Sequence, residues 1–177
     1  MPPTRRLSSM PILIRNETPE DVDNVRAVNR SAFPTDAEAR LVDALRKSAE
    51  PLVSLVAVDG DELVGHILFS PASLESSGGR LVMGLAPMAV QPDRQRQGIG
   101  SALVERGIEA CRKLGAVAIV VLGFATYYPR FGFTPASRYG VHSEYDVPDD
   151  VFMLLELGPG AVSPGGIARY HEAFGNL

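Results

Sequence analysis

The chain has 177 residues, the length of one domain able to bury a real core. Its 45% hydrophobic and 21% charged content is that of a globular protein, and a net charge of −4 argues against general nucleic-acid binding. No apolar run reaches the roughly 18 residues of a membrane span, and the single cysteine, Cys111, excludes an internal disulfide or a cysteine-based metal cluster.

The first ten residues, "MPPTRRLSSM", carry two arginines but no apolar stretch behind them, so they do not read as a secretory signal. Residues 1–10 are expected to be a flexible lead, with Met10 an alternative start, and residues 11–177 a single domain. The expected compartment is the cytoplasm. "ILIRN" reads as a first strand. Thr18 as N-cap, Pro19 at the first position and acids in the first turn then open a helix with Val22, Val25 and Val28 at helical spacing. Thr35-x-x-Glu38 reads as a capping box for a second helix with Leu41, Val42 and Leu45 on one face.

"LVSLVAV" and "LVGHILFS" are β-branched apolar runs joined by Asp59-Gly60-Asp61-Glu62, a hairpin signal. "PASLESSGG" reads as a loop. Leu81–Val90 reads as a strand whose Pro87 cannot donate to a ladder and so marks a bulge or an edge. A helix follows from Gly98 to a C-terminal Gly115. "AVAIVVLG" has no alternation, as expected of a strand covered on both faces, and makes a parallel crossover with Leu81–Val90. "VFMLLEL" is a further strand, and a Pro/Gly-rich link leads to "GIARYHEAF". The fold class is therefore α/β (α+β): a mixed, mostly antiparallel central sheet with one parallel β-α-β crossover and flanking helices.

The densest pattern is "VQPDRQRQGIGSALVERGIEACRKLG". A helix N-terminus presents unpaired N–H groups with partial positive charge, and glycines let those groups close on an anion. Arg94 and Arg96 add full charge, so the segment reads as a phosphate or pyrophosphate cradle. A Walker-type loop would need a lysine after its glycines, and none is present. A dinucleotide fingerprint would need Gly or Ala where Leu103 stands.

Taken with Gln95-x-x-Gly98-x-Gly100 and the interrupted strand before it, the segment resembles the acetyl-CoA-binding motif of the GNAT superfamily of N-acetyltransferases. "YYPRFGF" resembles that family's later motif, an aromatic residue followed four positions on by Gly-Phe. The order of elements agrees from Ile12 to about Phe174, and the combination further resembles the YhbS-type branch of predicted bacterial acetyltransferases.

The resemblance implies acetyl-CoA as cosubstrate and a primary amine of a small molecule or peptide as acceptor. It implies neither nucleic-acid nor membrane partners, and it admits a homodimer. It places the Met88 backbone N–H at the thioester carbonyl as an oxyanion donor, and Ala89 and Val90 along the pantetheine. Gln95, Arg96, Gln97, Gly98, Ile99, Gly100 and Ser101 fall around the pyrophosphate. Tyr128 takes the slot of the acid that protonates the departing thiolate, with Tyr127 as a rival or as packing at the cofactor's flank.

The family's strand glutamate is missing. Its place is Gly84, and no acid stands between Arg80 and Gln91. His66, Asp36, Glu38 and Glu75 are candidate bases, or a water chain serves. His66 also reads as an ordinary strand histidine and Glu38 as the capping-box acid. His142, Glu144 and Tyr145 lie on a long turn where substrate could approach, His171 carries no expected role, and no metal spacing is present. The alternative to an enzyme is a non-catalytic acyl-CoA-binding sensor or regulatory module.

Overall fold

The structure, a computed structural model, describes residues 11–162 and 165–176. The lead assigned to residues 1–10 lies outside the described residues. Strand β1 (Leu13–Asn16) precedes helices α1 (Val22–Ala32) and α2 (Ala37–Ser48). Strands β2 (Val53–Asp59), β3 (Glu62–Leu74) and β4 (Val82–Val90) follow, then α3 (Ile99–Lys113) and β5 (Ala118–Leu122). Short strands β6 (Thr134–Pro135) and β7 (Val141–Ser143), then β8 (Phe152–Glu156) and β9 (Gly166–Arg169), complete the sheet.

The strand order is β1-β2-β3-β4-β5-β8-β6, with β9 bridging β3 and β7. All pairings along the main path are antiparallel except β4 with β5, the expected crossover through α3. A second parallel pair, β7 with β9, lies to the side and was not anticipated.

Side-chain alternation in the strands divides the core between two helical layers. Leu55, Ala57, Ile67 and Phe69 face α3, where Leu103, Val104 and Cys111 close the layer. Val56 and Leu68 face the opposite way, against Val25, Val28, Leu41 and Leu45 of α1 and α2. α3 approaches the sheet closely at Gly107, where an added Cβ would lie 2.1 Å from a ring carbon of Phe69. Cys111 is fully buried in this layer, and burial pushes its thiol up to about 12, which suits a packing residue.

The local signals hold in most places. Asp59 pairs with Glu62 across Gly60-Asp61, with Gly60 at φ +60°, so the Asp-Gly signal does form the hairpin. Gly115 ends α3 at φ +85°. Thr18 does cap its turn with Asp21, although the first turn, Pro19–Asp21, is a 3₁₀ turn that runs into α1.

Two local expectations fail. β3 continues through Pro71 to Leu74 instead of ending in a loop, because Pro71–Ala72 still pairs with β4 and Ser73–Leu74 pairs with β9. The Thr35–Glu38 box does not form: Asp36 stands at the N-cap without a side-chain cap bond, and Glu38 is released for another place.

Candidate active site

β4 and β5 run parallel only from Val82–Ala118 to Leu85–Val121. Beyond Leu85, β4 goes on to Val90 while β5 stops at Leu122. The separation coincides with a bulge: β3 advances from Ile67 to Phe69 while β4 goes from Met88 back to Leu85, three residues against two. Ala86 and Pro87 occupy the surplus. Proline lacks an N–H, so a ladder bond is absent there in any case.

The register decides which way the backbone groups of β4 point. The Gln91 N–H donates to the Val64 carbonyl at 2.9 Å. In an antiparallel pair, hydrogen-bonded positions alternate, so Ala89 exchanges its bonds with His66. Met88 and Val90 therefore turn their N–H and C=O groups away from β3, into the gap that β5 has left. Ala89, expected to offer backbone groups to the pantetheine, spends them on the ladder. The Val90 carbonyl already accepts from Gln95 Nε2 at 3.1 Å.

The glycine cradle sits at the open end of this gap. Gly98 caps α3 at φ +85°, and Arg96 takes φ +63°, a left-handed backbone rare outside glycine. The first bond from this cap is Ala102 N–H to the Gly98 carbonyl at 3.1 Å. The N–H groups of Ile99, Gly100 and Ser101 thus precede any intrahelical acceptor and face outward at the positive end of a 15-residue helix. A Cβ on Gly100 would lie 3.4 Å from the Tyr127 hydroxyl and 3.6 Å from Met88, ordinary contact distances, so a methyl fits and a longer side chain would run into these groups.

Of the two arginines assigned to the anion, only Arg96 is exposed and outside the ion pairs. Arg94 is paired with Asp59 of the β2–β3 hairpin and braces the loop instead. Gln97 bonds back to the Asp93 carbonyl at 3.4 Å.

The two tyrosines have different surroundings. The Tyr127 hydroxyl is 3.0 Å from Ser101 Oγ, and the Arg130 guanidinium lies over its ring. Tyr128 is 7% exposed, packed edge-on against Tyr127 and Phe133. Gly123 makes room for it, since a Cβ there would lie 2.3 Å from the Tyr128 ring. Burial, with Tyr127 beside it, pushes the Tyr128 phenol up to about 12. Both rings line a cavity of about 690 Å³ whose inner wall is Leu85, Pro87, Met88 and Gly123.

The candidate bases are dispersed. His66 is fully buried in a chain of polar groups: Asn29 Nδ2 bonds to its Nδ1 at 3.2 Å, and its Nε2 lies 2.9 Å from Ser54 Oγ. Ser54 in turn donates to Glu17, which holds Arg46. This leaves Nε2 as the donor and the ring neutral; burial, then the charge of Arg46, drops it to about 3. His66 is thus a satisfied core histidine. Asp36 pairs with Arg40 at 3.2 Å and Glu75 with Arg169 at 3.3 Å. Glu144 accepts the Tyr170 N–H, and His171 accepts the Ala173 N–H. Glu38 and Tyr145 do line the cavity.

Sequence reasoning missed Tyr170. A Cβ on Gly84 would lie 2.6 Å from the Tyr170 ring, so this ring fills the space beside the strand position where the resemblance calls for a glutamate. Its hydroxyl accepts the Leu122 N–H at 3.2 Å, and its ring packs on Phe174 at 4.7 Å. Burial raises the phenol above its ordinary range. Nothing in "GIARYHEAF" signals this, because the partner is a glycine in a distant strand.

Residues 13–136 match the acetyltransferase (GNAT) domain family. The chain belongs to the GNAT acetyltransferases. This GNAT domain is 33% identical over 165 residues to the uncharacterized N-acetyltransferase YhbS of Escherichia coli strain K12, covering 92% of this chain and 98% of that one. It is 41% identical over 134 residues to the uncharacterized N-acetyltransferase YjhQ of the same strain, covering 73% and 74%. The crystal structure of E. coli YhbS in complex with CoA superposes with a TM-score of 0.87 at 31% identity, covering 97% and 96%. A Brucella melitensis GNAT acetyltransferase in complex with acetyl-CoA gives 0.75 at 36% identity, covering 92% and 97%. Among the described residues, no helix is long and apolar enough to cross a membrane, and no cluster of metal-ligating residues occurs.

Proposed function

We propose that this GNAT domain transfers the acetyl group of acetyl-CoA to a primary amine by direct attack of the amine on the thioester. One observation carries the reading: β4 parts from β5 with the Met88 backbone turned into the gap, between an anion cradle and a buried tyrosine. Each part meets a separate need of the reaction. The N–H groups of Gly98, Ile99, Gly100 and Ser101, with Arg96, would hold the pyrophosphate. The Val90 backbone and Gln95 would guide the pantetheine arm through the gap. The Met88 N–H would donate to the carbonyl oxygen as it gains charge, a contact worth about 3 kcal/mol in comparable sites.

The amine nitrogen bonds to the carbonyl carbon, the carbon–sulfur bond breaks, and the sulfur leaves with the electron pair. Tyr128 stays protonated through neutral pH because burial raises it to about 12. Against a thiol near 8.5, complete proton transfer from that phenol is uphill by about 5 kcal/mol. Tyr128 therefore acts as a hydrogen-bond donor to the sulfur while the bond breaks, and the proton that ends on the thiol is balanced by one lost from the amine. Tyr127 has its hydroxyl at Ser101 and serves the cofactor's flank.

The test is release of free thiol from acetyl-CoA with a panel of amines, wild type against Tyr128→Phe. Turnover on at least one amine, reduced about 10²-fold in the variant, is expected. Tight CoA binding with no thiol release on any amine, and no effect of the substitution, would establish the sensor reading instead.

A further inference from the structure

The same cavity carries a second chemistry. Phe33, Leu41, Tyr145, Tyr170 and Phe174 form its walls, and Phe124 stands at its mouth. Leu122, Phe124 and Tyr145 are three of the five large apolar or aromatic residues left exposed among the described residues, and all three line this one cavity. Phe124 is 78% exposed. Scattered exposed apolar residues need no explanation, whereas a cluster around one concavity marks a binding surface.

Into this apolar wall projects one charged residue. Among the described residues, Glu38 is the only carboxylate that lines the cavity, and no lysine, arginine or histidine accompanies it. Its Oε2 is shielded from solvent and has no hydrogen-bond donor among the described residues. An ionised carboxylate oxygen normally accepts two or more donors, and one left without any in an apolar setting is costly unless a ligand supplies them. The neighbouring carboxylates are committed: Asp23 of α1 to Arg26, Asp36 at the start of α2 to Arg40, and Asp43 of α2 to Arg26 and Arg46. Glu38 alone is held back.

We infer that the acceptor is a small primary amine with a single cationic centre on an apolar, aromatic-sized body, its ammonium held by Glu38, which takes one proton to leave the neutral amine for attack, and its body against the aromatic wall. This rests on the transferase reading and specifies the substrate class at the same site. One carboxylate offers a place for one cation. A polyamine would leave further charges against Phe33, Tyr170 and Phe174, and an aminosugar would strand its hydroxyls there, where each unpaired polar group costs affinity.

The experiment uses the full chain with acetyl-CoA and four probes, each over the same concentration range: phenethylamine, spermidine, glucosamine and an N-terminally free serine peptide. Thiol release gives kcat and KM, and calorimetry on the CoA complex gives amine binding without turnover. Phenethylamine is expected to show the highest kcat/KM. Glu38→Gln should raise its KM at least about tenfold while the CoA Kd stays within twofold. Phe124→Ala, at a position too exposed to affect folding, should raise the phenethylamine KM several-fold and leave that of glucosamine unchanged.

A preference for spermidine, glucosamine or the peptide overturns the inference and leaves the transferase reading standing. An unchanged phenethylamine KM in both variants also overturns it. Glu38-dependent binding of phenethylamine with no thiol release on any amine removes the transferase reading and with it the acceptor role, while upholding the cavity's selectivity for a monocationic aromatic amine.

Discussion

Replacing Gly84 by alanine sets a methyl group against the Tyr170 ring. The new Cβ would lie 2.6 Å from one ring carbon and 2.8 Å from another, where non-bonded carbons settle at about 3.5–4.0 Å. The ring has to retreat by roughly an ångström, but Phe174 packs it at 4.7 Å and the Leu122 N–H holds its hydroxyl at 3.2 Å. Overpacking of this kind costs about 1–3 kcal/mol. In a Tyr170→Ala background the space is open and the same methyl should cost under about 0.5 kcal/mol. Urea unfolding of the wild type, both single variants and the double variant yields the coupling directly. A coupling above about 1 kcal/mol is expected. Additivity within about 0.5 kcal/mol would refute the claim that Tyr170 occupies the place beside the glycine.

Three further outcomes follow from the geometry. His66 sits near 3 in the fold against 6.5 when unfolded, so the unfolded chain binds the extra proton between these values. Stability is full above about pH 6.5 and declines as pH falls; urea unfolding should show about 2 kcal/mol lost between pH 7 and 5, with the decline flattened in His66→Gln. Asp21, held to about 2 mainly by Arg15, adds its loss only below its ordinary value of 3.8. Gly107→Ala should lower the thermal midpoint although alanine is the better helix former, because its Cβ would lie 2.1 Å from Phe69; an unchanged or raised midpoint contradicts the close packing of α3 on the sheet. Gly98→Ala meets no atom within 4 Å but forces alanine to φ +85°, which should cost about 1–2 kcal/mol of stability in urea unfolding; an unchanged midpoint contradicts the left-handed cap of α3.

What the chain announces by itself is what short-range physics controls. The Gly98-x-Gly100 cradle, the Gly60 hairpin, the Gly115 helix end and the interruption at Pro87 depend on backbone conformations set by a few neighbouring residues. Each was legible as a pattern, and together they led to the fold and to coenzyme A. The choice between Tyr127 and Tyr128 was not legible, because adjacent tyrosines differ only in what the fold puts beside them: Ser101 for one, the space above Gly123 for the other. Arg94 reads as an anion ligand until the hairpin brings Asp59 to it. Glu38 reads as a capping acid until α2 starts without it and its oxygen ends in an aromatic wall. Gly84 reads as a missing base until the end of the chain returns with Tyr170 to fill the place. The proposed cofactor half of the site lies on one contiguous segment with local geometry, so its pattern was legible in the sequence. The proposed acceptor half draws on α2, β5, the turn after it and the C-terminal segment, whose meeting only packing decides.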